Sequence, residues 1–130
     1  MITKRAEYML QALVDLAQHR SDGYVPSREV AERKDIPAKY MPQLMATLTR
    51  KGWVDSVRGA GGGVRLAIDP KDVTVEEVIH LSGDPLLVKS CAVAGTCPKE
   101  STCVLHPVWV RAQASLHEAL QGTTLADLLS

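Results

Sequence analysis

The chain has 130 residues, 45% hydrophobic and 23% charged, with no Phe, two Trp and three Tyr. That length suits one domain, the balance excludes a disordered or collagen-like chain, and no apolar run approaches the roughly 18–20 residues that span a bilayer. The formal charge is zero, yet residues 1–68 carry 11 Lys and Arg against 7 Asp and Glu, while residues 69–130 carry 4 against 8, which points to one basic working face and a separate acidic part.

The start, Met1-Ile2-Thr3-Lys4-Arg5-Ala6-Glu7, lacks the charged-then-apolar layout of a secretion signal, so a cytoplasmic protein is expected. Residues Thr3 to about His19 predict an amphipathic helix, because Ala6, Met9, Leu10, Leu13, Val14 and Ala17 recur at three-and-four spacing. Thr3 is its expected N-cap. Ser21-Asp22-Gly23 breaks the pattern. A short second helix is expected after Pro26-Ser27, capped by Ser27 and running through Val30 and Ala31 to Lys34, with Asp35-Ile36-Pro37 as a tight connection. A third helix buries Met41, Leu44, Met45 and Leu48 and ends near Lys51-Gly52. Pro42 conflicts with a helix interior, so this helix either starts late, near Tyr40, or bends in its first turn.

Trp53-Val54-Asp55-Ser56-Val57-Arg58 alternates in part like a strand, Gly59-Ala60-Gly61-Gly62-Gly63 is a glycine-rich tip, and Val64-Arg65-Leu66-Ala67-Ile68 is a second strand. Together they read as a hairpin. Thr74-Val75-Glu76-Glu77 is a capping box that starts a helix from Val75 to about Leu81. Gly83 to Pro107 holds all three cysteines in a Pro- and Gly-containing stretch without periodicity, long for a loop without a function. Beyond it Leu105, Trp109, Ala112, Leu116 and Ala119 step by 4, 3, 4 and 3, the seam of a helix pairing with another helix. Thr124-Leu125-Ala126-Asp127 caps a last turn. The expected fold is therefore mostly α with a small β-hairpin. Its parts are residues 1–82, a loop at 83–107, and a helix with C-terminal turn at 108–130, in one compact domain.

Three short helices followed by a glycine-tipped hairpin is the element order of a winged helix-turn-helix, whose third helix enters the major groove of DNA while the hairpin, the wing, lies against a neighbouring groove. Lys39, Tyr40 and Gln43 fall near the start of the third helix, where side chains reach base edges or phosphates. Arg28, Arg50, Lys51, Arg58 and Arg65 add positive charge, and Gly62 and Gly63 let the backbone approach phosphate. Arg58, beside the turn, is placed to enter a minor groove. A nucleotide-binding glycine loop is a poorer reading, because a strand-like run follows the glycines and no Gly-Lys-Ser/Thr ending is present.

Cys91, Cys97 and Cys103 are separated by five residues twice, and His106 follows three residues after the last. Three cysteines cannot all pair within one chain, and a cytosolic chain is kept reduced. Structural zinc usually takes Cys-x2-4-Cys pairs, whereas wider loop-borne spacing suits an iron–sulfur cluster, with imidazole able to replace one thiolate. Zinc and unligated thiols stay open beside the cluster. His106 is the first candidate for fourth ligand, although it could instead cap the helix beginning near Pro107; Glu7, if a partner subunit brings it close, is another. His19, His80 and His117 read as surface or cap residues.

Ile36-Pro37-Ala38-Lys39-Tyr40-Met41, then Gly52-Trp53-Val54-Asp55-Ser56-Val57-Arg58-Gly59 with Gly62-Gly63, resemble the signature of the IscR/NsrR regulators, the Rrf-two family. The resemblance continues through Thr124-Leu125-Ala126-Asp127-Leu128-Leu129. It implies a dimeric bacterial winged-helix transcription regulator with a long C-terminal dimerisation helix. The Cys91, Cys97, Cys103, His106 pattern is most similar to the IscR type, which implies a 2Fe–2S cluster held by three cysteines and the histidine. Glu7 matches the first-helix position that supplies an Asp ligand in NsrR-like nitric-oxide sensors, so a 4Fe–4S cluster stays open. The local run Cys103-Val104-Leu105-His106 favours His106 and 2Fe–2S. IscR-like proteins carry Glu before the glutamine of the third helix where this chain has Pro42, so their operator preference is not carried over.

The expected function is thus a homodimeric regulator, a repressor, of a double-stranded DNA operator. Its affinity would be controlled by an iron–sulfur cluster that senses iron–sulfur, redox or nitric-oxide status. A zinc-stabilised or cofactor-free winged-helix DNA binder is the nearest alternative. A small iron–sulfur redox protein would leave the basic wing unexplained. No nucleophile–base pair or paired carboxylates suggest an enzyme, and no small-molecule substrate or membrane partner is indicated.

Overall fold

A computed structural model describes residues 2–89, 92 and 103–129. Helix α1, Lys4–Gln18, starts where the Thr3 hydroxyl accepts the Ala6 N–H at 3.1 Å. Its fully buried face is Ala6, Met9, Ala12, Leu13 and Leu16, whereas Leu10 and Val14 are only partly covered. The stripe is thus rotated from the one expected, because elements pack on two sides of α1: the helix-turn-helix and hairpin against Met9, Leu13 and Leu16, and α4 (Val75–Leu81) against Ala6.

Helix α2 is Ser27–Arg33. Ser27 is its first residue and not its cap; Pro26 holds the extended N-cap conformation, and its carbonyl accepts the Glu29 N–H at 3.0 Å. A 3-10 turn at Ala38–Tyr40 leads into α3, Met41–Lys51, which ends at Gly52. Pro42 therefore sits in the first helical turn, where no N–H is required and its fixed φ suits the helix. Of the two expectations for this helix, the late start is the one observed. Met41, Leu44, Met45 and Leu48 are buried as the periodicity demands.

Strands β1, Val54–Val57, and β2, Gly63–Leu66, pair antiparallel with Val54 opposite Leu66 and Val57 opposite Gly63. The second strand begins one residue earlier and ends two earlier than expected. Val25 extends the ladder by exchanging backbone hydrogen bonds with Val64 at 2.9 and 2.8 Å. Val54, Val64 and Leu66 thereby reach the core beside Trp53.

Helix α4 carries the complete capping box: Thr74 Oγ1 accepts the Glu77 N–H at 3.1 Å, and Glu77 Oε1 accepts the Thr74 N–H at 3.0 Å. Helix α5, His106–Gln121, lies against α4. The C-terminal turn, Ala126–Leu129, is tied back to the start of α4: Val75 N–H donates to Thr123 O at 2.8 Å, Leu125 N–H donates to Val73 O at 2.9 Å, and Leu125 is fully buried. Among the described residues no helix is long and apolar enough to cross a membrane.

Candidate nucleic-acid interface and cysteine segment

Burial of Leu44, Met45 and Leu48 leaves one side of α3 in solvent. Lys39, Tyr40, Gln43, Ala46 and Arg50 are exposed and recur at helical spacing, so the structure brings four of the predicted DNA contacts onto one face. Tyr40 is held there by the Tyr8 ring at 5.4 Å, and Lys39 Nζ lies 5.2 Å from the Tyr40 ring centre. The hairpin is fixed to the same helix by a hydroxyl pair, Thr49 Oγ1 to Ser56 Oγ at 3.2 Å. Arg58 stands exposed beyond this contact, at the start of the turn, and Arg28 stands exposed at the first turn of α2.

Arg65 is placed differently. It lies across from Asp55 in the ladder, and side chains alternate across a sheet, so it points to the face opposite Ser56. There its guanidinium lies 4.6 Å from the Tyr24 ring centre, and Nε is 3.8 Å from Asp55 Oδ2.

Gly62 and Gly63 have a structural reason of their own. A Cβ on Gly62 would lie 2.3 Å from the Val57 carbonyl oxygen, and one on Gly63 would lie 2.2 Å from the Val25 carbonyl oxygen. Gly63 also has φ +148°. Gly63→Ala is therefore expected to push β2 away from Val25 and destabilise the protein by about 2 kcal/mol. A denaturant midpoint equal to that of the parent chain would refute this.

Cys103 is partly exposed and His106 is buried as the first residue of α5. His106 N–H reaches Cys103 O at 3.3 Å, so one backbone turn joins the two predicted ligands. Cys91 and Cys97 lie outside the described residues. A thiol and an imidazole one turn apart fit a soft or borderline metal centre. Among the described residues no three of His, Cys, Asp and Glu converge as a metal-holding group. Glu7 is exposed on α1 and pairs with Lys4 at 3.3 Å.

The predicted seam occupies its own side of α5. Gln113 turns to the body, donating from Nε2 to Leu86 O at 2.7 Å and accepting the Val88 N–H at 2.8 Å. Leu120 packs against the Ala6, Val75, Ile79 and Leu86 cluster on the same side. Leu105, Trp109, Ala112, Leu116 and Ala119 centre about 70° around the helix from that face. Leu105 and Ala119 are exposed, the other three partly so, and Val108 beside them is exposed.

Sequence reasoning missed three charged contacts. Asp15 is 1% exposed and accepts Arg33 Nε and Nη2, both at 2.8 Å. The hydrogen bond to Asp15 outweighs the opposing effect of burial and raises the Arg33 pKa above its ordinary value. His117 on α5 contacts the buried carboxylate of Glu76 on α4, so a histidine read as a surface residue serves the α4–α5 packing, while His80 Nε2, within α4, lies 3.6 Å from the same Oε1. Arg5 on α1 donates to Thr47 Oγ1 on α3 at 3.2 Å. Each joins residues distant in sequence, and no periodicity encodes that.

The family model "Rrf2: Iron-dependent Transcriptional regulator" matches residues 2–130. The HTH-type transcriptional regulator IscR of Photobacterium profundum is 33% identical over 98% of this chain and 74% of its own length. The solved structure of T. potens IscR superposes with a TM-score of 0.77 at 36% identity, covering 99% of this chain and 85% of that one. CymR, titled the global cysteine regulator of B. subtilis, superposes with a TM-score of 0.80 at 27% identity over 99% of this chain and 95% of that one. Helix order, hairpin and sequence thus agree along the whole length, and the chain belongs to the Rrf2 family of transcriptional regulators, which are winged-helix proteins and not enzymes.

Proposed function

We propose that this chain is a homodimeric regulator, a repressor, that binds a near-palindromic duplex and whose grip depends on an iron–sulfur cluster. The observation that carries the DNA-reading part is the single exposed face formed by Lys39, Tyr40, Gln43 and Arg50, with Arg58 alongside. Gln43 at the start of α3 has the donor and acceptor pair that reads adenine, and Arg50 supplies phosphate contact. Arg58 reaches a minor groove from the wing. Arg28 adds charge at the edge of the same surface, whereas Arg65 acts on the far side of the hairpin by stacking on Tyr24.

Dimerisation through Leu105, Trp109, Ala112, Leu116 and Ala119 would set two α3 helices on half-sites about one helical turn apart. Residues 1–82 act as the reading unit, 83–107 as the cluster segment and 108–130 as the dimer helix. Cys91, Cys97, Cys103 and His106 would hold the cluster, 2Fe–2S being favoured over a 4Fe–4S centre that uses Glu7. When bound it supplies a redox- and nitric-oxide-reactive iron centre. His106, at the start of α5, and Gln113, which clamps Leu86 and Val88, connect this segment to the dimer helix. The similarity to proteins named IscR supports this reading.

Duplex binding tests the interface. Arg58→Ala should weaken binding and lower the slope of log K against log salt by about one. An unchanged slope removes Arg58 from the interface.

A further inference from the structure

Thr47 is buried on α3, and its hydroxyl donates to the Gln43 carbonyl at 3.0 Å. That leaves the oxygen only to accept. It accepts from two guanidinium groups on different helices, Arg5 Nη2 at 3.2 Å and Arg50 Nη2 at 3.5 Å. The two cationic nitrogens are therefore at most about 7 Å apart. Among the described residues neither arginine forms an ion pair, because Glu7, the nearest carboxylate in sequence to Arg5, is taken by Lys4. Arg5 Nε is buried without a hydrogen-bond partner. Between α1 and α3 lies a cavity of about 240 Å³ lined by Lys4, Arg5, Tyr8, Tyr40, Gln43 and Leu44, opening beside the exposed face of α3.

Two guanidinium groups gathered on one neutral oxygen repel each other unless an anion joins them. Each also keeps N–H donors in the fork geometry that matches phosphate. We propose that Arg5 and Arg50, spaced by Thr47, form a clamp for one phosphate of the DNA backbone, which makes α1 a DNA-contacting element. The proposal rests on the DNA-reading function above and adds to it a site at the junction of α1 and α3. The clamp positions the protein on the duplex and carries no sequence preference.

The test uses the full chain with two duplexes of equal length, one enriched from a random library by the parent protein and one of random sequence. Arg5→Gln should weaken both by the same factor and lower the salt slope by about one, as should Arg50→Gln, with the double variant lowering it by no more than about one, because both arginines serve a single phosphate. Raising salt from 50 to 200 mM should then narrow the gap between Arg5→Gln and the parent roughly threefold. Arg5→Lys, which keeps the charge but loses the fork, should keep the slope.

A weaker Arg5→Gln variant with an unchanged slope would show that the arginine only packs α1 on α3, and overturns the proposal. Loss on the enriched duplex alone would make Arg5 a base reader and overturns it too. Inorganic phosphate provides the third arm. Saturation of the Arg5 Nε–H NMR signal by phosphate alone, with no change in duplex slope, would assign the site to a free anion instead. If Arg58→Ala and Gln43→Ala reduce duplex binding while Arg5→Gln does not, the clamp fails and the DNA-reading function stands. If the parent chain binds neither duplex at any salt, both fail.

Discussion

Protein carrying Cys103→Ala and purified without oxygen should lose its visible absorption together with its iron and acid-labile sulfide. Cys103 lies three residues before His106, the first residue of α5, and is joined to it by one backbone hydrogen bond, so removing its thiol leaves an imidazole that cannot hold a cluster with the two remaining cysteines alone. The same variant should change affinity for the enriched duplex by about 5–150-fold relative to the loaded parent, the range expected when one ligand biases a two-state protein. The direction of that change tells whether the loaded or the empty protein holds DNA. Stoichiometric iron and sulfide in Cys103→Ala would refute the ligand set. Parent protein containing zinc and no iron would replace the cluster with the zinc-stabilised reading. A colourless, metal-free parent that binds the same duplex unchanged would leave a cofactor-free winged helix.

A second large effect should come from Arg33→Met. Its partner Asp15 is almost completely buried between α1 and α2, and removal of the guanidinium leaves a carboxylate whose one remaining cationic neighbour among the described residues is His19, Nδ1 lying 3.6 Å from Oδ1. Breaking a buried pair from one side costs about 3–5 kcal/mol. Because the Arg33 side chain is itself one-third exposed, the low end applies, about 3 kcal/mol and roughly 10 °C in Tm. Changing both residues together, Asp15→Leu with Arg33→Met, should recover most of the loss, because no lone charge then stays buried. Equal losses in the single and double variants would mean that packing and not charge sets the cost. The raised pKa of Arg33 adds stability that is complete below its ordinary value and fades only as pH rises through the higher folded one. The Arg33 contribution is therefore constant across neutral pH.

The local elements were legible because their signals are local. The Thr74 capping box and its helix from Val75 to Leu81 follow from four adjacent residues, and the Pro42 conflict resolved into a late helix start that proline itself favours. The exposed face of α3 was legible for the same reason, since burying Leu44, Met45 and Leu48 dictates which residues remain outside. What escaped depends on how elements meet. The facing of Arg65 is set by strand register against Asp55 and by Tyr24, and the requirement for Gly63 by the approach of Val25, a residue nearly forty positions earlier. The Arg5–Thr47 and His117–Glu76 contacts likewise join residues about forty positions apart. In the cysteine segment, spacing alone separated neither zinc from iron nor His106 from Glu7, because the sequence there has no periodicity from which ligand geometry can be read.

The backbone ties around Thr123 and Leu125 have a mechanical corollary. They moor the far end of α5 to the root of α4, while Cys103 and His106 occupy the opposite end, about 24 Å away for a 16-residue helix. Gln113, bound to Leu86 and Val88, adds a second hold at mid-helix, so a sideways push on the first two turns tilts that half of α5 about Gln113. Along such a lever, displacement at Leu105 and Trp109 exceeds that at Leu116 and Ala119, so in the dimer proposed above a rearrangement at the thiol-bearing tip would alter the crossing angle of the two subunits more than their separation.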